Sequence, residues 1–450
     1  MLALAVATRV AVAADDERAD PTPIATPTLT PTPSPKRALP DYDGRANADA
    51  EAGSWALWIP RGVLMPVYLV HEYIVRRPLG ALVSRAERGR WLSALQDFFS
   101  FGPEQKYMVI PTGVYDFGLR ASIGVRFTGN DVIVAHHDLS AHLATGGTDW
   151  LLASLRDRYT WNRKTSIATR FDLSRRPDLL FMGIGPDVRD DDRTRYGVQR
   201  IDLDASFAHA SGPAQLAIAA GVRHIGFRSA ECCDDPRLEN QVRDQIIEAP
   251  PGFDTPYTAL YQSVALTLDS RPPRPAPGTG ARISMYGQSA FDLHHDQSWG
   301  KYGGSVGGAI DLNGHQRTLH LQLGADFVDP IAGGSVPFTE LATLGGANTM
   351  QAFVNGWMLG RSTAVAELGY TWPVAFLFDG TARISVGNAF GAHLDDFAAK
   401  KLRLSGDLGL TTVGSRDTGF EVILGLGTET FEQGGRIQSV RIAFGSRRGI

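Results

Sequence analysis

From about Lys106 to Phe444 the chain alternates apolar and polar residues with a period of two. In Arg200-Ile201-Asp202-Leu203-Asp204-Ala205-Ser206-Phe207 the apolar set is Ile201, Leu203, Ala205 and Phe207. The polar set points the other way, because successive side chains on a strand face opposite sides. The same alternation recurs over 167–173, 263–269, 318–327 and 402–410. Such runs are about ten residues long, the length a tilted strand needs to cross a hydrocarbon layer, whereas soluble sandwiches usually use shorter strands. About sixteen runs can be placed: 107–115, 118–128, 131–144, 148–160, 163–174, 196–209, 213–226, 256–269, 280–294, 301–312, 315–328, 362–373, 380–391, 402–412, 418–429 and 434–444. The pattern predicts an all-β fold, a transmembrane antiparallel β-barrel over 106–450.

Connector lengths test that count. With the N-terminus on the periplasmic side, 175–195, 227–255, 329–361 and 392–401 fall outside, and 129–130, 161–162, 210–212 and 313–314 fall inside. Long loops outside and short turns inside are the habit of outer-membrane barrels. Adding or removing one strand destroys the agreement. The lumen face then carries Arg120, Arg126, Arg170, Asp172, Arg200, Asp202, Asp204, Asp326, Arg403 and Asp407. A hydrated interior or an internal ion-pair lattice accommodates such charges. On a lipid face each would cost about 2–4 kcal/mol near the midplane.

Upstream the period of two is absent. Residues 1–14 form a short apolar, signal-peptide-like segment ending in Ala11-Val12-Ala13, a small-residue pattern suited to cleavage after export. Residues 15–54 form a Pro/Thr-rich tail whose prolines exclude helix and sheet ladders and predict disorder. Within 55–105, Leu79, Leu82, Val83, Ala86, Leu92, Leu95 and Phe98 follow helical spacing, with Arg85, Arg88 and Arg90 nearby. This segment is expected to be helical, either at the membrane interface or packed on the periplasmic mouth of the barrel. Two segments are candidates to plug the lumen: 79–101 and the 329–361 connector.

Composition sharpens this picture at few points. Glycine is abundant (49), and no run of about 18 apolar residues offers a helical membrane span. A formal net charge of −4 without a sustained basic face argues against nucleic acid as a partner. The adjacent Cys232 and Cys233 read as ordinary loop residues, with a vicinal disulfide or a reactive pair as alternatives. No Gly-x-Ser-x-Gly elbow, phosphate-binding loop or His-Glu-x-x-His helix occurs. The pairs His136-His137 and His294-His295 sit on strands or loops where neighbours diverge, so neither is expected to chelate a metal. Neither cofactor nor enzymatic activity is expected.

Five segments, in order, carry a resemblance: Phe181-Met182-Gly183-Ile184-Gly185 before Tyr196; Asp269-Ser270-Arg271 before Pro277; Leu344-Gly345-Gly346-Ala347-Asn348-Thr349-Met350-Gln351-Ala352-Phe353; Glu367-Leu368-Gly369-Tyr370 with Pro373; and 383–388. Together they resemble the barrel of the BamA/TamA family, the bacterial surface antigen superfamily, in a barrel-only form without recognisable POTRA repeats. Read alone, 344–353 is a Gly-rich surface loop. The resemblance implies that it folds into the lumen between strands eleven and twelve, with Gly345, Gly346, Gln351, Phe353 and Ser385 as its contact set. It also implies an Asp-x-Arg turn at Asp269 and Arg271 and a strand motif centred on Glu367.

In the family a loop arginine pairs with a strand aspartate; the matching positions here are Gln351 and Ser385. Both charges are missing together, which permits a neutral amide–hydroxyl hydrogen bond in place of the ion pair. Ala352 stands where the family has glycine, so the loop does not itself guarantee close backbone approach. Ser439 likewise stands where the last strand favours glycine. The function implied is assistance to insertion or translocation of proteins or lipid at the outer membrane of a Gram-negative cell. Partners would be outer-membrane lipid, unfolded outer-membrane protein clients, and the barrel-assembly machinery for the chain's own insertion. The rivals from other classes are a passive or gated pore for small solutes and a barrel phospholipase.

Overall fold

In the computed structural model the described residues are 97–447, apart from 117, 163, 273–277, 313–315, 333, 376–377 and 413–418, with scattered positions between 65 and 85. The signal-like segment, the Pro/Thr-rich tail, most of the helix expected within 55–105, and Pro277 lie outside the described residues.

Seventeen strands form one sheet, of which Ser100–Phe101 is a two-residue flap. The other sixteen are β1 (Tyr107–Asp116), β2 (Ser122–Gly129), β3 (His137–Gly147), β4 (Trp150–Asn162), β5 (Thr165–Phe181), β6 (Thr194–Ser211), β7 (Ala214–Arg228), β8 (Tyr257–Asp269), β9 (Gly280–Asp292), β10 (Ser298–Asp311), β11 (Thr318–Ala332), β12 (Ser362–Ala375), β13 (Phe378–Phe390), β14 (Arg403–Thr412), β15 (Gly419–Thr430) and β16 (Ile437–Arg447). Each pairs antiparallel with its neighbours in sequence, and β16 returns to β1 to close a sixteen-stranded barrel. Among the described residues no helix is long and apolar enough to cross a membrane.

The alternation read from the sequence is the in/out pattern of the wall. On β6 Leu203 is 52% exposed while its neighbours Asp202 and Asp204 are buried. Leu321 and Leu323 on β11, Ile384 on β13, Leu408 on β14 and Leu424 on β15 are likewise exposed, forming the apolar exterior that a bilayer would cover. Inside, the expected charges form a lattice: Arg170 contacts Asp172 and Asp204, each at 3.0 Å, and Asp202 accepts from Arg200 and Arg223.

The strand count matches the sequence reading, and the departures are local. The run expected at 131–144 begins at His137, because Asp131 Oδ1 accepts the His136 N–H at 2.6 Å and Val132 N–H reaches His137 O at 3.0 Å. That closes a turn, and the apolar Ile133 and Val134 are exposed there instead of continuing the strand. β5 runs on to Phe181, past the expected end at 174.

One end of the barrel carries the long connectors 182–193, 229–256, 334–361 and 391–402, and the other carries the two-residue turn 212–213. At the long-loop end two apolar clusters fill the interior. One gathers Phe181, Tyr257, Trp299, Phe338 and Leu341; the other gathers Met182, Met350, Phe353, Trp357 and Ala389. Both draw on the 334–361 connector, here the inner loop.

Candidate functional site

The inner loop enters the lumen at two places. Its first limb is pinned by Phe338 and Glu340, both buried. The Phe338 ring lies 5.1 Å from Tyr196 and 5.5 Å from Phe181, centroid to centroid. The Glu340 carboxylate accepts from Arg223 of β7 at 2.9 and 3.0 Å and from the Tyr257 hydroxyl of β8 at 2.9 Å, and pairs with Lys301 of β10 at 2.5 Å. Burial opposes its ionisation, but the Lys301, Arg223 and Arg200 charges prevail and hold the carboxyl well below the ordinary glutamate range.

A short ribbon, Ala342–Leu344 paired with Met358–Gly360, then carries the tip to the opposite wall. Gly345 and Gly346 turn the chain with φ of 103° and 81°, values that favour glycine. The Gly346 N–H bonds Phe353 O at 2.8 Å, closing the tip.

The wall beneath the tip consists of two inward rows. Strand register aligns Gly369, Arg383, Asp407, Gly425 and Arg441 in one row across β12–β16. It aligns Glu367, Ser385, Ser405, Gly427 and Ser439 in the next. Arg383 is fully buried; its guanidinium donates to Gln351 Oε1 at 2.6 Å and to Glu421 at 2.7 Å, and pairs with Asp407. Gln351 Nε2 donates back to Ala347 O at 2.8 Å. Ser385 donates to Glu367 at 3.0 Å instead.

The amide–hydroxyl bond that the sequence permits between Gln351 and Ser385 does not form: Gln351 meets Arg383 and Ser385 meets Glu367. Both residues do line the tip's seat, but Gln351 reaches the neighbouring row, where a wall arginine two positions before Ser385 outcompetes a hydroxyl as donor. The doubt raised by Ala352 is answered from the wall as well. A Cβ on Gly425 would come 2.7 Å from Ala352 Cα, and one on Gly427 would come 2.5 Å from the Phe353 ring. The space that a loop glycine would have given is supplied by these two strand glycines. Ser439 serves the tip too, donating to Ala352 O at 2.6 Å, while the Ala352 N–H donates to Ser405 at 3.2 Å.

Asp269 and Arg271 form a bidentate pair at 2.9 and 2.7 Å, bracing the turn that leaves β8 far from the tip. Cys232 and Cys233 form a vicinal disulfide, one of the alternatives the sequence leaves open. His137 pairs with Asp157 and His295 with Asp292, each at 2.6 Å. The sequence reading missed the roles of Arg383, Glu421, Gly425 and Arg441. Their signal was available: each falls in the inward phase of its strand, between apolar residues that face out.

The second half of the site is the seam. Among the described residues β16 and β1 pair only through Ala443 with Asp116 and Phe444 with Tyr115. Residues 445–447 stay on β15 but leave β1. The flap Ser100–Phe101 covers Tyr107 and Met108, and the β1 edge over 109–114 has no strand beside it among the described residues. Lys106 O accepts from Asn130 N–H, which sets the phase of β1. Even-numbered residues bond β2, and the N–H and C=O groups of Val109 and Gly113 face the seam. Pro111 falls in the same phase and offers no donor there, in keeping with the confinement of strand prolines to edges. Arg441 spans the junction: Nε and Nη2 bond the Asp116 carboxylate, both at 2.7 Å, and Nη1 bonds Gly346 O and Gln351 O of the tip at 2.7 and 2.6 Å.

No protein-family model matches the chain. No curated protein matches it in sequence. Among solved structures it is similar to BamA of Haemophilus ducreyi lacking POTRA domains 1–3, at 14% identity and a TM-score of 0.55, over 76% of this chain and 70% of that one. It is more loosely similar to CdiB of Acinetobacter baumannii, at 10% identity and a TM-score of 0.47, over 76% of this chain and 59% of that one. A third, at 8% identity and a TM-score of 0.33, is Wzi of Escherichia coli, an outer-membrane carbohydrate-binding β-barrel involved in capsule assembly, over 80% of this chain and 86% of that one. At these identities the likeness concerns architecture, and the chain has a closed, sixteen-stranded antiparallel barrel fold like that of BamA.

Proposed function

We propose that this protein is an outer-membrane barrel of the BamA/TamA family that assists insertion or translocation of proteins at the Gram-negative outer membrane. The observation that carries the reading is the seam: among the described residues two residue pairs join the first and last strands, and the β1 edge over 109–114 has no described strand beside it. Exposed edge groups are a template for another strand. The unpaired stretch lies toward the short-turn end, which faces the periplasm in this reading, where an unfolded client would arrive. Its strand would bond the N–H and C=O groups of Val109 and Gly113, and lipid beside the opened wall would present a lower barrier to entry. The reading is non-enzymatic and needs no cofactor.

Crosslinking in cells tests it. Val109→Cys and Gly113→Cys variants are expected to trap nascent outer-membrane strands; absence of client adducts under conditions that trap a known assembly barrel would sink the proposal. The charged wall around Arg170 and Arg200 sustains the second reading, a passive or gated pore. Steady, ion-selective steps in a planar bilayer would favour the pore, and near silence together with client adducts would favour the assembly role.

A further inference from the structure

We infer that Arg441 couples the seat of the inner loop to the closure of the seam, so that unseating the tip loosens β16 from β1 and parting the strands loosens the tip. This rests on the reading of the seam as the working face. Ser439 ties the tip to β16 and Ser405 ties it to β14, but neither side chain reaches β1. Arg441 bonds both: one edge of its guanidinium grips Asp116 at the top of β1, and the remaining nitrogen holds two tip carbonyls. The planar fork makes this division possible, with Nε and Nη2 forming the bidentate edge and Nη1 projecting away from it. Among the described residues backbone pairing at this junction amounts to two residue pairs, so the side-chain bonds of Arg441 are a large share of what joins the strands there.

Burial makes the coupling reciprocal. Arg441 is 4% exposed, and its charge is balanced by one carboxylate and oriented by the two carbonyls. A tip that leaves strips Nη1 of its acceptors and frees the side chain to follow the carbonyls or solvent, at the expense of Asp116. A seam that parts removes the counter-charge, and the guanidinium no longer has a reason to stay beneath the tip. One two-state element is thus biased from both sides, which is what coupling between two sites requires.

The test uses the full chain, folded in lipid vesicles, with Cys232→Ser and Cys233→Ser so that only introduced thiols react. Seam closure is read as the rate of disulfide formation between Tyr115→Cys and Phe444→Cys, which face each other in register. Tip seating is read separately from maleimide labelling of Ala352→Cys, a position with 0% exposure. Gly427→Leu, which drives a side chain into the Phe353 ring of the tip and lies opposite Ser439 rather than Arg441, is expected to speed labelling and to slow seam crosslinking about tenfold. Asp116→Asn is expected to speed labelling about tenfold although it lies on the other side of the seam. In an Arg441→Gln background Gly427→Leu should slow the crosslink no further. Arg441→Lys, a single nitrogen, should grip one partner at a time and lose most of the coupling. Retention of heat-modifiable gel mobility identifies the folded variants. A tip that labels faster in Gly427→Leu while the seam crosslinks at the original rate would overturn the inference, as would unchanged labelling in Asp116→Asn. Client adducts at Val109→Cys are a separate measurement, so failure of the coupling and failure of the assembly reading are told apart.

Discussion

Arg383 donates to Gln351 Oε1 at 2.6 Å, so the cation that seats the inner loop belongs to the wall and not to the loop. The same guanidinium meets Asp407 and Glu421, and the tip brings only a neutral acceptor to a site where one cation already faces two carboxylates across β13, β14 and β15. A buried charge deprived of its partner is far more costly than a neutral group exchanged for another.

Exchanging the two side chains tests that division. Gln351→Arg alone sets a second guanidinium against Arg383, and Arg383→Gln alone deprives Asp407 and Glu421 of that cation; the second is expected to cost about 3–5 kcal/mol and the first less, because the two carboxylates outnumber Arg383. The double variant Gln351→Arg with Arg383→Gln returns one arginine to the same carboxylates and should recover most of the loss. Urea unfolding in lipid vesicles gives the coupling energy from the four variants. A double variant no more stable than the weaker single one would refute the account.

Gly427 lies under Phe353, with room for hydrogen only. Gly427→Ala should therefore lift the ring and cost about 1–3 kcal/mol, as overpacking does. Phe353→Leu in the same chain should relieve the clash and return the labelling rate of a buried tip position toward the original. Equal labelling in the Gly427→Ala variant and the parent would show that the contact is not tight.

Asn388 of β13 ties two other connectors to the wall, its amide donating to Pro186 O at 3.0 Å and to Lys401 O at 2.6 Å. Asn388→Ala leaves both carbonyls without that donor, at about 1–3 kcal/mol. Limited trypsin digestion should accelerate at Arg189, Arg193, Lys400 and Lys401, with little change in labelling of the tip. Unchanged cleavage at all four would remove Asn388 from this role.

The barrel was legible in the sequence because lipid outside and charge inside impose opposite polarity on alternate residues, as Leu203 between Asp202 and Asp204 illustrates. The inward course of the inner loop was legible only through resemblance, since Leu344 to Phe353 has no periodicity of its own. The partners were not legible. Whether Gln351 meets Ser385 or Arg383 depends on which inward row the tip reaches, a difference of two residues along one strand face. The space for Ala352 came from Gly425, 73 positions downstream and across the loop–wall interface, which no local motif reports. Closure through Asp116 and Arg441 depends on the stagger of the last strand against the first, and hydrophobic alternation does not encode that offset.

Glu340 offers a prediction with a defined pH dependence. It anchors the first limb through Arg223, Lys301 and Tyr257, and against the cost of burial the Lys301, Arg223 and Arg200 charges keep its carboxyl ionised well below the ordinary range. A carboxylate whose folded-state pKa is depressed stabilises the fold at every pH above its unfolded value, about 4.3, and loses that contribution as the pH falls toward the folded value. Glu340→Gln should therefore cost about 3–5 kcal/mol at neutral pH, because Lys301 and Arg223 lose a shared counter-charge. The gap between parent and variant should stay level from pH 7 to about 5 and narrow in stronger acid, since only the parent has this carboxylate to lose. Urea unfolding across that range measures it. A gap that stays constant or widens below about pH 4 would mean that the ionised carboxylate is not what holds the limb.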